Sequence, residues 1–251
     1  MTNIILCGCG GRMGKAIIAA AKKDCTIVAG VDINASEPSA CSFPIYERIS
    51  DFPGKADVII DFSHHSALPS LIDYAKKTKT PVVIATTGHT AEELALIDEA
   101  ASEVALFRSG NFSLGINLLI TLAKQAAKTL GADFDVEIVE KHHNKKLDAP
   151  SGTAIMIADA IASERDESEY IYDRHSVRKA RDSKEIGIHS VRGGTIVGEH
   201  EAIFAGENEI VTISHSAASR EIFATGALRA AVYLAGKSSG LYNMTDMIEG
   251  K

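Results

Sequence analysis

The 251-residue chain has no tryptophan, six prolines and only 6% aromatic residues. It has no excess of positive charge: 26 Lys and Arg stand against 33 Asp and Glu, a formal net charge of -7. A surface that grips phosphate backbones needs a basic stripe, so nucleic acid is excluded as an expected partner. No apolar run approaches the ~20 residues needed to span a bilayer, so no membrane partner is expected either. The opening Met1-Thr2-Asn3-Ile4-Ile5-Leu6 lacks the charged start and longer apolar stretch of a secretory signal, which predicts a soluble, cytoplasmic protein. Cysteine is scarce: Cys7, Cys9, Cys25 and Cys41 all fall in the first fifth of the chain. Their spacing suits neither a redox pair nor a zinc knuckle, which predicts reduced, structural thiols, with Cys7 a small buried hydrophobe. There is no internal repeat and no low-complexity segment.

What the chain does have is length for two modest cores and an ordinary 45% of hydrophobic residues. In the first half, short Ile- and Val-rich runs at 3–7, 26–31, 57–62, 81–85 and 104–107 read as strands. Helical spacing at 12–23, 65–78 and 91–101 separates them. This βα alternation with continuous apolar strands predicts an α/β, Rossmann-type doubly wound parallel sheet. The pattern then changes. A long helix at 114–130 precedes a strand at 133–140 and a helix at 154–162, and short strands follow at 187–191, 195–197, 202–204 and 209–214. Consecutive strands predict a second, α+β domain with a mostly antiparallel sheet. Residues 165–184, highly charged and poor in apolar side chains, read as a mobile surface loop. A helical pattern at 222–235 is expected to pack back onto the first domain. The expected boundaries are 1–112 with 218–251 for dinucleotide binding, and 113–217 for substrate binding and oligomerisation.

The first strand runs into Gly8-Cys9-Gly10-Gly11-Arg12-Met13-Gly14 and then a helix, which is G-x-G-x-x-G in the context it requires. Gly8 permits the tight turn, Gly10 lets backbone approach a pyrophosphate, and Gly14 lets the helix pack closely. The helix N-terminus offers free N–H groups to phosphate oxygens. The second strand ends at Asp32, placed to receive ribose hydroxyls. A carboxylate there repels a 2′-phosphate, and Ile33 and Asn34 supply no cation, so NADH is expected over NADPH, with Arg12 leaving dual use open. Ala85-Thr86-Thr87-Gly88-His89 and Ser109-Gly110-Asn111-Phe112-Ser113 lie at carboxyl ends of strands, where open α/β sheets bind ligands.

Against the acidic balance stands one cationic run, Glu140-Lys141-His142-His143-Asn144-Lys145-Lys146, followed by Leu147-Asp148-Ala149-Pro150-Ser151-Gly152-Thr153. Adjacent histidines on an extended chain point apart and no zinc spacing is present, so no metal site is expected. Acid–base work is the better reading, since imidazole titrates near neutrality and Lys146 can donate a proton or hold a carboxylate. Pro-Ser-Gly-Thr reads both as a capped helix start and as an anion site. There Gly152 exposes backbone N–H groups while Ser151 and Thr153 supply hydroxyls. On these residues alone three readings stand: reductase of a small multiply anionic substrate, amino-acid dehydrogenase of similar build, and non-catalytic nucleotide sensor. The His–His–Lys cluster disfavours the sensor.

Together with Asn111-Phe112-Ser113-Leu114-Gly115, Gly198-Glu199-His200 and Ser219-Arg220, these motifs resemble the 4-hydroxy-tetrahydrodipicolinate reductase (dihydrodipicolinate reductase) family over nearly the whole chain. The resemblance implies NAD(P)H-dependent reduction of a cyclic dicarboxylate, with loss of water, in lysine biosynthesis through diaminopimelate. It implies His142 and Lys146 as the proton-transfer pair, and His143, Gly152 and Thr153 as substrate ligands; Ser151, from its place at the helix start, and Arg220 are further candidate anion ligands. It implies Gly8 to Met13, Asp32, Ala85 to Thr87 and Ser109 to Phe112 as cofactor segments, and a homotetramer built through the second sheet. The hydride would be delivered at a cleft closed by hinges near Ser113 and Ser214. The chain departs from the family pattern at Ala85, often Gly, at Ile33, often basic, and at Lys145, a histidine in some relatives. The Ile33 departure strengthens the expectation of NADH.

Overall fold

Apolar runs and amphipathic helices alternate through the first unit, which comprises Met1–Ser113 and Glu221–Lys251. The computed structural model describes residues 1–21, 24–34 and 42–251. In chain order come β1 (Thr2–Cys7), α1 (Arg12–Ala20), β2 (Cys25–Val31), β3 (Ile45–Tyr46), β4 (Val58–Asp61), α2 (Leu68–Thr78), β5 (Val82–Ile84), α3 (Ala91–Ala100) and β6 (Ala105–Arg108). Ile4, Ile5 and Leu6 of β1, Ile59 and Ile60 of β4 and all of β5 are fully buried, as strands covered on both faces must be. Each such side chain contributes about 1.5–3 kcal/mol of burial. The helices start on local chemistry: Pro69 sits in the first turn of α2, and Thr90 and Glu93 close a capping box on α3. α1 ends at Ala20, three residues short of the expected end, and the last two expected residues lie outside the described ones, as does Cys41.

The second unit, Leu114–Arg220, contains α4 (Leu114–Leu130), β7 (Asp135–His142), α5 (Gly152–Ala162), β8 (Glu169–Ile171), β9 (Glu185–Arg192), β10 (Glu199–Ala205) and β11 (Ile210–Ser216). Its five strands lie in the order β11-β10-β7-β9-β8. β10 pairs antiparallel with β11 and β7, whereas β9 pairs parallel with β7 and β8. The sheet is therefore mixed, where a mostly antiparallel one was expected. The reason is α5, which carries the chain over one face between β7 and β8, so that these two strands run the same way. Helices α4 and α5 cover that face, and Leu119, Ala123, Ile157 and Ile161 pack there on Val136, Ile138, Ile186 and Phe204.

Three expectations for this unit are corrected. Residues 195–197 form no strand; they belong to the turn between β9 and β10. Ser214, expected at a hinge, lies inside β11 opposite Glu201. The charged stretch 165–184 is no loose loop: β8 adds to the sheet, and Arg174 binds Glu185 Oε2 at 2.7 Å and Glu137 Oε1 at 3.1 Å. Arg181 reaches Asp135 at 3.1 Å. Glu185 is buried, so this network is anchored on one side away from water and screened less than a surface pair.

The chain then returns to the first unit with α6 (Glu221–Leu234), β12 (Gly240–Tyr242) and α7 (Met244–Glu249). β12 joins β6 to complete a seven-stranded parallel sheet, β12-β6-β5-β4-β1-β2-β3. α6 packs closely on this unit, since a Cβ on Gly226 would meet Phe112 O at 1.7 Å. β3 and β12 had no sequence signal, because two or three residues are too few to show a period.

Candidate active site

In the first unit, β1 ends in a turn that only glycine fits. Gly8 has φ +75, and a Cβ there would stand 2.4 Å from Phe62 O; one on Gly14 would stand 2.3 Å from Gly8 O. Gly11 caps α1 without any side-chain hydrogen bond, so the first N–H groups of the helix face an exposed loop formed by Gly10, Gly11 and Arg12. Asp32 Oδ2 accepts Gly10 N–H at 2.9 Å, and Oδ1 accepts Asn34 N–H at 3.1 Å. Glycine loop, helix terminus and carboxylate thus converge, which is the donor set a dinucleotide needs: N–H groups for pyrophosphate and an acceptor for ribose. Cys9 is buried, and its sulfur faces Gly30, where a Cβ would meet it at 2.6 Å; Met13 is half-buried.

Beside this loop a pocket of about 230 Å³ is lined by Phe62, Ser63, His64, His65, Ala85, Thr86 and Thr87. Thr86 donates its hydroxyl to buried Asp61 at 2.7 Å, while Thr87 is exposed. Burial raises the Asp61 carboxyl pKa despite bonds from Ser63 and Thr86. One pocket wall is braced by a group the sequence reading passed over: Glu93 Oε1 lies 2.9 Å from His65 Nδ1, and its Oε2 lies 3.4 Å from His89 Nδ1. Ser109 Oγ donates to Asn111 O at 2.8 Å and accepts Asn111 N–H at 3.2 Å, Gly110 is exposed, and Phe112 packs 5.9 Å from the Phe107 ring. Phe112 therefore serves the core and offers a ligand little more than backbone.

In the second unit, the inward-facing positions of β7 are Val136, Ile138, Glu140 and His142. The same parity brings His200 on β10 opposite Glu140, and Ser190 and Arg192 on β9 opposite Glu140 and His142. His215 on β11 stands opposite His200. An ionisable layer thus sits at the end of an apolar one, beneath the N-terminus of α5. β7 extends two residues beyond its expected end, so His142 belongs to the strand and points inward. Lys141 points the other way, to Glu201 at 2.9 Å and Glu199 at 3.2 Å.

Glu140 is the centre of this layer. It accepts from Arg192 Nη2 at 2.6 Å and Nη1 at 2.8 Å, from Ser151 N–H at 3.1 Å, and lies 2.5 Å from His142 Nδ1. Burial opposes its charge, yet bonds from Arg192, Ser190 and His142 outweigh it and hold the carboxyl at about 2. His200 is driven the other way, to about 4, by burial and by His142, whose ring meets it edge-on at 5.2 Å. Ser151 is buried; its Oγ caps α5 through Ala154 N–H at 3.2 Å and lies 3.0 Å from His200 Nε2. The hydroxyl expected to face a carboxylate is therefore engaged inside the protein. Gly152 is exposed and a Cβ there would touch nothing, leaving room over the helix terminus. Thr153, one residue on, is half-buried in the first turn. His143 Nε2 lies 3.2 Å from Arg220 Nη2, and burial and Arg220 lower its pKa. Lys146 pairs with Asp148 Oδ2 at 2.8 Å. The structure thus brings His143 to Arg220 and His142 to Glu140, while Lys146 follows on the turn bonded to His143 O.

Among the described residues no group of three or more His, Cys, Asp or Glu is placed to hold a metal ion, and no helix is long and apolar enough to cross a membrane.

A doubly wound sheet with a dinucleotide loop, followed by a mixed sheet capped with imidazoles, an ammonium and a guanidinium, defines a class: two-unit NAD(P)H-dependent oxidoreductases. Family models described as dihydrodipicolinate reductase, N-terminus and C-terminus, match residues 2–112 and 115–248. The chain belongs to the dihydrodipicolinate reductase family and carries its activity, the NAD(P)H-dependent reduction of 4-hydroxy-tetrahydrodipicolinate in the diaminopimelate route to lysine. It is 54% identical over 252 residues to the 4-hydroxy-tetrahydrodipicolinate reductase of Caldanaerobacter subterraneus subsp. tengcongensis, with 99% of each chain covered. It is 49% identical to that of Clostridium tetani, covering 99% of this chain and 97% of the relative. A dipicolinate-bound dihydrodipicolinate reductase from Paenisporosarcina sp. TG-14 shares the fold with a TM-score of 0.79 at 26% identity, over 97% of both chains. Family membership sets aside the sensor and the amino-acid dehydrogenase.

Proposed function

We propose a division of labour in which the first unit holds the cofactor, with NADH preferred, and the second holds a small cyclic dicarboxylate and moves the proton. The loop from Gly8 to Met13 and the start of α1 hold the pyrophosphate, Asp32 accepts from ribose hydroxyls, and the segments Ala85 to Thr87 and Ser109 to Phe112 face the nicotinamide half. Bound there, the cofactor supplies the hydride. Arg220, His143 and the open N-terminus of α5 at Gly152 and Thr153 bind the two carboxylates and so orient the ring. Ser151 supports them by fixing that terminus. As negative charge builds on the ring, His142 at Nε2 and Lys146 at Nζ supply positive charge and a proton.

The observation that carries this reading is the buried carboxylate of Glu140 holding His142 beneath the open helix terminus. Support for a small dicarboxylate comes from the dipicolinate in the Paenisporosarcina relative. NADH preference is supported by Asp32, whose carboxylate would repel a 2′-phosphate, and by exposed Ile33 beside it, which supplies no cation. A homotetramer built through the second sheet, in the cytoplasm, is part of the same proposal; the edge position of β11 among the described residues and its exposed Ile210 support the assembly. The test is loss of NADH absorbance with freshly generated substrate. His142→Gln and Lys146→Ala are each expected to lower kcat by ~10²-fold or more. Near-normal turnover in both variants sinks the assignment.

A further inference from the structure

We infer that Glu140, backed by Arg192, is a positioning residue that fixes the ring orientation and tautomer of His142 and so selects Nε2 as its proton-exchanging atom. The inference rests on the reading of His142 as a proton-transfer group.

Glu140 and His142 are two residues apart on β7 and share its inward face. The carboxylate is fully buried and surrounded by donors: two nitrogens of Arg192, the N–H of Ser151 and, at 2.5 Å, His142 Nδ1. An ionised carboxylate only accepts, so Nδ1 is the nitrogen that carries hydrogen, and the lone pair of the neutral ring lies on Nε2. The far side of the ring is shaped to match. A Cβ on Gly198 would stand 3.1 Å from His142 Nε2, so glycine keeps that nitrogen uncrowded.

Arg192 meets both carboxylate oxygens, at 2.6 and 2.8 Å, and so fixes the plane in which the carboxylate faces the ring. The other charged and titratable groups facing this layer include His200 on β10, His215 on β11, and His143, Lys146, Asp148 and Arg220 beyond the strand. Glu140 is its only buried anion among the described residues. Removing that charge while keeping the shape therefore acts on the ring through both tautomer and charge.

The direct experiment is nitrogen-15 imidazole NMR on the full-length protein, above the pH at which His142 titrates. The expected signal is the Nδ1–H tautomer in the unaltered protein and a shift toward Nε2–H in Glu140→Gln, whose amide can donate to Nδ1. Kinetically, Glu140→Gln should lower kcat by ~10²-fold with KM for NADH within about twofold, and move the His142-dependent limb of the kcat–pH profile to lower pH. Glu140→Asp, which keeps the charge, should recover part of that loss. An Nε2–H tautomer in the unaltered protein overturns the inference, as does Glu140→Gln with an unchanged kcat and pH profile. Because the tautomer is read without turnover, this failure is distinct from failure of the His142 assignment, which shows as activity in His142→Gln.

Discussion

Asp32 Oδ2 accepts the backbone N–H of Gly10 at 2.9 Å, so the carboxylate placed for a ribose also pins the loop placed for the pyrophosphate. A Cβ on Gly10 would lie 2.9 Å from that oxygen and 3.2 Å from Cγ. Gly10→Ala must therefore displace Asp32 and crowd the phosphate path together. We expect KM for NADH to rise tenfold or more, about 1.4 kcal/mol, with little change in thermal midpoint because Gly10 is exposed. Fluorescence titration with NADH beside thermal melts checks both halves.

The same double duty makes Asp32→Ala a blunt probe of cofactor choice, since it frees the loop and removes the charge at once. Asp32→Asn keeps an acceptor for Gly10 N–H while relieving repulsion of a 2′-phosphate. The ratio of kcat/KM for NADH to that for NADPH should fall about tenfold in Asp32→Asn. In Asp32→Ala both cofactors should weaken. Parallel titrations of the three proteins decide this, and an unmoved ratio in Asp32→Asn removes Asp32 as the selector.

Arg192→Ala leaves Glu140 buried without its guanidinium. Losing one member of a buried pair costs about 3–5 kcal/mol, much of it the stranded charge. Glu140→Gln combined with Arg192→Met removes both charges and should recover much of the stability, though not the activity. Urea midpoints of the second unit's transition are the measurement.

Acid should unfold the protein in two stages. His200 is held at about 4 against an ordinary 6.5, so between those values the unfolded chain takes up a proton that the folded protein refuses. Its contribution is intact above pH 6.5 and lost as pH falls to about 4. His215, lowered by burial, acts in the same direction. Glu140, at about 2 against 4.5, adds a second loss below pH 4.5. His200→Asn should shrink the first stage and leave the second in place. Denaturation midpoints taken from pH 7 to pH 3 will show whether the stages separate.

Much of the first unit was legible because its signals are local. The glycines stand where a turn clashes with any Cβ, the strands are continuous apolar runs, and the caps are neighbours in sequence. The second unit was harder to read. Its sheet mixes directions because α5 crosses a face, and the stretch 165–184 looked loose because its partners, Glu137 and Glu185, lie on strands. Glu140 was legible as the acid that opens the cationic run, after Val136 and Ile138 on the same face, but its role as the partner of His142 and Arg192 was not.

By itself the sequence determined a dinucleotide loop on a doubly wound sheet and a cationic run before a helix start, since turn geometry, period and capping are properties of adjacent residues. It could not rank the cations in that run. Only the tertiary structure sent Lys141 outward to Glu199 and Glu201, turned His142 inward to Glu140, and set His143 against Arg220. The partners that decide these roles sit 52 to 77 residues away, except Glu140 itself. Pairing of β7 with β9 and β10 brings Arg192 and His200 to its side, and burial turns their charges into a site.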